Sequence, residues 1–314
     1  MKFTTSLVLC LFVLGCSSQS THYQHYAAGS VQPRIDYLKP FASQYVQPRN
    51  VEVWLPRQYF LNPQSALPVL YMHDGQNLFN QQSANFGVAW EVDDIAQQLM
   101  DEGKITPAII VGIWSTPNRR MEYFPERAAQ YFSTQDAAVI ERLKQHLGEG
   151  KNADYLADEY LSFIVKELKP YIDSHYRSVP DRDNTLIAGS SMGGLISIYA
   201  LTQYPQVFGS AAGVSTHWPL FFNNDHMGPA EKLRDYLRAA FPVAGQHRVY
   251  FDFGTATLDQ YYEIHQNQVD KIMLDKGYVQ GRDWVTKKFP DAEHNEQAWQ
   301  DRVPQILQFL LPPK

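Results

Sequence analysis

The run Gly189-Ser190-Ser191-Met192-Gly193 sets a hydroxyl between two glycines, in the G-x-S-x-G spacing of a nucleophile at a sharp turn. Residues 184–188 before it read as a short buried strand, and residues 194–201 after it read as the opening of a helix. Strand, tight turn and helix would hold Ser191 at the carboxyl end of the strand with its hydroxyl exposed. The small residues Gly189 and Gly193 let strand and helix approach closely. Gly and Ser are also common turn residues, so a glycine-rich loop ending a strand is the plain alternative. The flanking pattern favours the nucleophile.

A serine hydroxyl attacks a carbonyl poorly unless a base removes its proton, and the base needs a third group to fix its tautomer. In a doubly wound sheet these groups gather at the carboxyl ends of the strands. In its hydrolase version the chain order is serine, acid, histidine. Among His217, His226, His247, His265 and His294, the last is placed best, after the final expected strand and before the final helix. His217 lies too close to the strand after the nucleophile helix to be the base and is instead a candidate for lining the substrate cleft. His226 sits in a polar loop, His247 falls at the wrong end of a strand, and His265 lies within a helix.

Asp259, in a loop beyond the penultimate strand, is the leading acid, although an aspartate there could equally cap the next helix. Asp252, inside the apolar strand, is the alternative, and Glu263 a third. The oxyanion of an acyl-transfer intermediate needs backbone N–H donors. One is expected from Met192 and the other from Gln76, in the turn Asp74-Gly75-Gln76-Asn77-Leu78-Phe79, where Gly75 permits a tight bend. Arg119, Arg120, Tyr123, His217 and Trp218 are candidates for substrate contact.

The elements that must position these groups alternate. Residues 34–38 and 51–55 read as an antiparallel pair of strands. Further strands are expected at residues 68–73, 108–113, 208–214, 248–253 and 283–289. Helices fall between them. One opens at residue 88 and carries Leu99, and one begins near residue 154 with Leu161, Ile164, Val165, Leu168 and Ile172 on its apolar face and a bend at Pro170. A helix from residue 296 closes the chain. The least regular stretch, residues 119–150, is expected to hold a helix at 137–147 and to form an insertion beside the site. Strands separated by helices imply crossover connections, hence an α/β fold with a mainly parallel, doubly wound sheet covered by helices on both faces. No composition break divides residues 31–314, which are expected to form one catalytic domain.

With 314 residues, 44% of them hydrophobic, the chain can bury a large core. Its net charge of −6 and lack of a basic stripe speak against a nucleic-acid partner. No H-E-x-x-H occurs and Glu293-His294 has no second histidine nearby, so no metal is expected. Both cysteines, Cys10 and Cys16, lie near the start of the chain, so the folded body has neither a disulfide framework nor a thiolate metal site.

Lys2 followed by the apolar run of residues 7–14 reads as an export signal, too short to span a bilayer as a mature helix. Residues 1–15 are therefore expected to be a signal peptide. Gly15-Cys16-Ser17-Ser18 resembles a lipobox, with Leu14 bulkier than usual at its position. Cleavage would leave Cys16 as a lipid-bearing N-terminus on a flexible tether of residues 16–30. The absence of an acidic residue after Cys16 resembles outer-membrane routing. An ordinary secretory signal is the alternative.

Four blocks then stand in order: Tyr71-Met72-His73-Asp74-Gly75-Gln76-Asn77-Leu78-Phe79, Trp90-Glu91-Val92-Asp93, Arg120-Met121-Glu122-Tyr123-Phe124-Pro125 and Gly189-Ser190-Ser191-Met192-Gly193-Gly194. Together they resemble the esterase family of α/β-hydrolases that includes esterase D, enterobactin esterases, feruloyl and acetylxylan esterases and the mycolyltransferases. The resemblance implies the triad Ser191, Asp259 and His294, with no metal or cofactor. It departs at Val214-Ser215-Thr216-His217-Trp218-Pro219, where many relatives carry a Ser-Pro-x-x-Trp-like stretch, so specificity does not transfer. The resulting expectation is a serine carboxylic-ester hydrolase acting through an acyl-enzyme on an exported siderophore, feruloyl or acetyl ester. An acyltransferase with the same triad and a non-catalytic ligand-binding lipoprotein are the alternatives.

Overall fold

Period-two alternation along the central strands decides the layers. The computed structural model describes residues 30–133, 137–147, 155–225 and 227–313; the expected signal segment, Cys16, the expected tether up to residue 29 and His226 lie outside them. In strand β3 (Val69–His73), Val69 and Tyr71 enter one apolar cluster while Leu70 and Met72 enter another. In β4 (Ile109–Ile113), Ile109, Val111 and Ile113 join the first cluster and Ile110 the second. Such strands are buried on both faces, the condition for a parallel sheet wrapped by helices.

The remaining strands are β1 (Arg34–Phe41), β2 (Arg49–Leu55), β5 (Thr185–Ser190), β6 (Ser210–Val214), β7 (Arg248–Gly254) and β8 (Trp284–Phe289). They form one eight-stranded sheet in the order β1-β2-β4-β3-β5-β6-β7-β8. The β1–β2 and β2–β4 pairings are antiparallel, and every pairing from β4 to β8 is parallel. This is the α/β-hydrolase fold, with each expected strand present and shifted by no more than a few residues. Val31–Lys314 forms one compact unit.

In chain order the helices are α1 (Arg57–Leu61), α2 (Val92–Asp101), α3 (Arg119–Tyr123), α4 (Ala137–Leu147), α5 (Ala157–Phe163), α6 (Lys169–His175), α7 (Met192–Gln203), α8 (Met227–Ala240), α9 (Glu263–Asp275), α10 (Glu296–Gln300) and α11 (Val303–Leu310). Residues from α5 through α9 supply the first cluster, and α2, α10 and α11 supply the second. Helices thus cover both faces.

Three boundaries differ from the sequence expectation, each for a backbone reason. The helix expected from residue 88 starts at Val92, because Glu91 adopts a left-handed conformation with φ 50°. The long helix is broken by a π turn at Ile164–Leu168 just before Pro170, which has no N–H to donate to the preceding turn. The closing helix is two helices, since Pro304 is tolerated in the first turn of α11 but not in a continuous interior.

Candidate active site

Ser191 sits where β5 turns into α7, at φ 56° and ψ −119°, a conformation that L-residues rarely adopt. The turn is pinned by its surroundings. The Ser191 amide donates to the Val214 carbonyl at 2.8 Å, and the Ser191 carbonyl accepts from Gly194 at 3.1 Å and from Leu195 at 3.2 Å. A Cβ at Gly189 would lie 2.8 Å from the Gly193 carbonyl carbon and oxygen, so strand and helix meet here only because residue 189 has no side chain.

From this turn a hydrogen-bonded chain runs into the protein. Ser191 Oγ lies 3.0 Å from His294 Nε2, and His294 Nδ1 lies 2.6 Å from Asp259 Oδ1. Asp259 is buried, while His294 keeps some access to solvent. The other carboxylate oxygen of Asp259 accepts from Ser215 Oγ at 2.5 Å and from the Gly254 amide at 2.6 Å. Burial by itself would raise the Asp259 carboxyl; the hydrogen bonds from His294, Ser215 and Gly254 outweigh it and hold the pKa below its ordinary value. Asp259 therefore stabilises the fold above that ordinary value and loses its contribution as pH falls through the depressed one.

The two loops that carry acid and base are tied together. The amides of Thr255 and Ala256 both donate to the Ala292 carbonyl, the Asp291 amide donates to Thr255 Oγ1 at 2.7 Å, and the His294 amide donates to Thr257 Oγ1 at 2.8 Å. Gly254 is required at this junction, because a Cβ there would stand 2.1 Å from the Ala292 oxygen. On the far side of His294, Asn295 caps α10 by accepting from the Ala298 amide at 2.9 Å. The Trp299 ring meets the His294 imidazole edge-on, with centroids 4.8 Å apart.

The alternative acids have other partners. Asp252 pairs with Arg302, Nη1 to Oδ1 at 2.9 Å, with both side chains buried, and it also accepts from Tyr250 and the Ser215 amide. Arg302 reaches Ser215 Oγ at 3.1 Å, so this ion pair backs the acid loop from behind. Glu263 pairs with Lys288 in an exposed position. Two of the other candidate histidines have structural partners: His265 lies between Arg234 and Asn224, and His247 faces the Phe208 carbonyl at the start of β7.

The turn after β3 packs on the start of α7, since a Cβ at Gly193 would meet His73 Cβ and Asp74 Oδ2 at 3.4 Å. Its bend is made by Asp74, at φ 56°, and not by Gly75. Gly75 is needed for a different reason: a Cβ there would lie 2.5 Å from the Gly112 carbonyl carbon. The backbone bonds of the two turns engage the amides of Asn77, Leu78, Gly194 and Leu195, and those of Gln76 and Met192 stay outside them. The Gln76 side chain is locked on Ser115, Nε2 to Oγ at 2.7 Å, with its Oε1 accepting the Ser115 amide. Asp74 is gripped by Arg119 through two bonds of 2.6 and 2.7 Å. Beneath it His73 is fully buried, with Nδ1 at 2.8 Å from the Tyr160 hydroxyl; burial pushes its imidazole down to about 3, so it stays neutral.

Two of the residues expected to line a substrate cleft do not. Trp218 is 2% exposed, packs edge-on against Phe251 and donates Nε1 to Gln266 at 2.7 Å. Tyr123 is wholly buried against His73 and Tyr160, and its hydroxyl accepts the Asp74 amide. Proximity to the loops along the chain points both rings at the cleft, and core packing claims them instead. Arg120 is exposed on α3. His217 is 4% exposed and holds the Tyr262 hydroxyl at 2.7 Å.

Residues that the sequence reading does not single out complete the site. A cleft of about 360 Å³ beside His294 is lined by Phe86, Val88, Asn295, Glu296 and Gln297. Phe86 is 90% exposed and has φ 60°, an unusual backbone for an aromatic residue. Tyr262 is buried and faces the His294 ring edge-on at 5.5 Å. Its signal in the sequence is its place three residues after Asp259, where one helical turn brings it back alongside. Among the described residues, no group of three or more His, Cys, Asp and Glu side chains is arranged to hold a metal ion.

Comparisons with known proteins agree with this fold. A family model described as "Putative esterase" matches residues 43–310. An uncharacterized protein YbbA of Bacillus subtilis is 22% identical over 264 residues, covering 78% of this chain and 90% of its own length. A solved ferulic acid esterase superposes with a TM-score of 0.61 at 19% identity, covering 90% of this chain and 98% of that one. The enterobactin esterase FES of Shigella flexneri superposes with a TM-score of 0.56 at 16% identity, covering 89% of this chain and 59% of that one. The family match spans most of the chain, and the protein therefore belongs to this family of ester hydrolases with the α/β-hydrolase fold.

Proposed function

We propose that the protein is a serine carboxylesterase that works through an acyl-enzyme. The observation that carries this reading is the chain Asp259–His294–Ser191, with links of 2.6 and 3.0 Å at the carboxyl ends of parallel strands. Asp259 accepts from His294 Nδ1–H, which leaves Nε2 bare to take the Ser191 proton. Oγ attacks the ester carbonyl, and the amides of Gln76 and Met192 receive the oxyanion. His294 then passes the proton to the departing alcohol. Water, deprotonated by the same nitrogen, releases the acid and restores Ser191.

A purified sample is expected to hydrolyse p-nitrophenyl butyrate and to be labelled stoichiometrically by a fluorophosphonate, with peptide mapping placing the label on Ser191. Labelling at another residue, or none in a folded sample, would remove the reading. The substrate class we propose is a siderophore, feruloyl or acetyl ester. It is supported by the likeness to a ferulic acid esterase and an enterobactin esterase, and by the apolar cleft with Phe86 beside His294.

We also propose that the enzyme is an exported lipoprotein held at a membrane surface through Cys16, on the strength of the apolar run of residues 7–14 and Gly15-Cys16. Mass spectrometry of the mature protein in its native host should find a diacylglyceryl-modified Cys16 at the N-terminus. A mature chain beginning later, without lipid, would overturn that part.

A further inference from the structure

Behind the triad, three hydrogen bonds meet on one buried hydroxyl. Ser215 Oγ lies 2.5 Å from Asp259 Oδ2, 3.1 Å from Trp299 Nε1 and 3.1 Å from Arg302 Nη1. An indole N–H and a guanidinium can only donate. Both therefore point at lone pairs of Oγ, and the single Ser215 proton has one acceptor left, the Asp259 carboxylate. The neighbours of Ser215 thus fix the direction of that bond. Oδ2 also accepts from the Gly254 amide at 2.6 Å, and the other oxygen, Oδ1, faces His294 Nδ1.

This hub reaches every loop of the triad. Ser215 follows Val214, whose carbonyl accepts the Ser191 amide at 2.8 Å, so the strand end that pins the nucleophile turn also carries the hydroxyl. The Ser215 amide donates to the Asp252 carbonyl at 3.0 Å and to Asp252 Oδ1 at 3.1 Å. Trp299 donates to Ser215 and also walls the His294 ring, with centroids 4.8 Å apart. Arg302, ion-paired with Asp252, donates to the carbonyls of Glu293 and Ala298 at 3.2 and 2.9 Å, on either side of His294 in the chain. Ser215, Asp252, Asp259, Trp299 and Arg302 are all buried, so water does not compete for these bonds.

The backbone at Ser215 is a second, independent sign. It holds φ 40°, in the left-handed region where glycine is the unstrained choice. A serine at that angle, deep in the protein, points to a hydroxyl that the site requires.

We propose that Ser215 is a positioning residue for the catalytic acid: its hydroxyl, aimed by Trp299 and Arg302, locks the Asp259 carboxylate with Oδ1 on His294. The proposal rests on the acyl-enzyme reading above. Ser215 keeps its proton throughout and touches no reacting atom. It stops the carboxylate from turning about its Cβ–Cγ bond, so His294 keeps Nδ1–H on the acid and Nε2 on Ser191. Burial pushes the Asp259 carboxyl up; the Ser215 bond, with those from His294 and Gly254, brings it down and keeps it charged for the imidazolium that forms in each half of the reaction.

The test is Ser215→Ala, which deletes the hydroxyl and keeps the Cβ. The expected result is a roughly 20-fold fall in kcat on p-nitrophenyl butyrate with KM within about twofold, and a matching fall in the rate of fluorophosphonate labelling. An unchanged kcat, or a loss carried by KM alone, would overturn the proposal. Ser215→Gly deletes the same hydroxyl and relieves the left-handed strain, so it keeps the test open if alanine folds poorly. It should lose as much kcat as alanine does. A glycine variant with the parent rate would refute the proposal, because backbone strain and not the missing hydroxyl would then explain any loss in alanine.

A double variant separates positioning from a general loosening of the site. Asp259→Asn already sets His294 in the wrong tautomer, so adding Ser215→Ala should lower its rate by less than about twofold, since the hydroxyl acts only through residue 259. Losses that multiply would make Ser215 a packing residue and sink the idea. A parent protein that does not react with the fluorophosphonate removes both readings; a reactive parent matched in kcat by Ser215→Ala and Ser215→Gly removes this one alone.

Discussion

Ser191→Ala is expected to lower kcat on p-nitrophenyl butyrate by roughly 10⁵- to 10⁶-fold while leaving the fold intact. The size follows from what the hydroxyl does. It is the atom that forms the covalent bond, and without it His294 has no proton to take. The residual rate would come from binding and from the amides of Gln76 and Met192 acting on a water-attacked ester. The fold should survive because the turn is held by backbone bonds, such as Ser191 amide to Val214 carbonyl at 2.8 Å, which alanine keeps. Alanine meets the same cost at φ 56° as serine does, so the melting temperature should move by only a few degrees. A variant that melts like the parent and hydrolyses the ester at more than a hundredth of its rate would show that another group is the nucleophile.

Asp259→Asn should be nearly as damaging, and for a reason that is electronic more than steric. The Gly254 amide and the Ser215 hydroxyl both donate to Oδ2, at 2.6 and 2.5 Å. A backbone N–H can only donate, so the carboxamide oxygen of the substituted side chain must stay on that side. Its NH₂ group then points at His294 Nδ1, which has to accept. The imidazole is forced into the tautomer with its proton on Nε2, facing Ser191, where a base is required. A fall of roughly 10⁴-fold in kcat at neutral pH is expected. The ¹⁵N shifts of His294 should report the switch from the Nδ1–H to the Nε2–H tautomer. A variant with the parent tautomer and a rate within tenfold of the parent would separate Asp259 from the base and return attention to Asp252. The structure already argues against that: the Asp252 carboxylate is occupied by Arg302, the Tyr250 hydroxyl and the Ser215 amide.

Much of this was legible along the chain because the governing physics is local. A nucleophile turn needs glycines two residues before and after the serine, so the motif around Ser191 is visible in five letters. Strand runs such as Val69–His73 and Ile109–Ile113 announce themselves because a doubly covered strand must be apolar on both faces. His294 and Asp259 could be ranked above their rivals because the crossover topology sends the loops after β7 and β8 to the same end of the sheet as Ser191. Chain order and element order thus determined the fold class and three of the residues that meet at the site.

Contacts between distant segments were decided only in three dimensions. Whether Trp218 and Tyr123 face a cleft or the core depends on what packs against them, and both are buried. That Gly75 serves a close approach to Gly112, while Asp74 takes the left-handed turn, cannot be read from the turn's composition. The pairing of Asp252 with Arg302 across 50 residues, and of His217 with Tyr262 across 45, arises from the fold bringing separate segments together. Sequence spacing controls which groups share a turn or a strand end, since backbone geometry repeats every few residues. Which buried polar groups become partners is set by burial itself, because each must find a hydrogen bond wherever the tertiary fold leaves it.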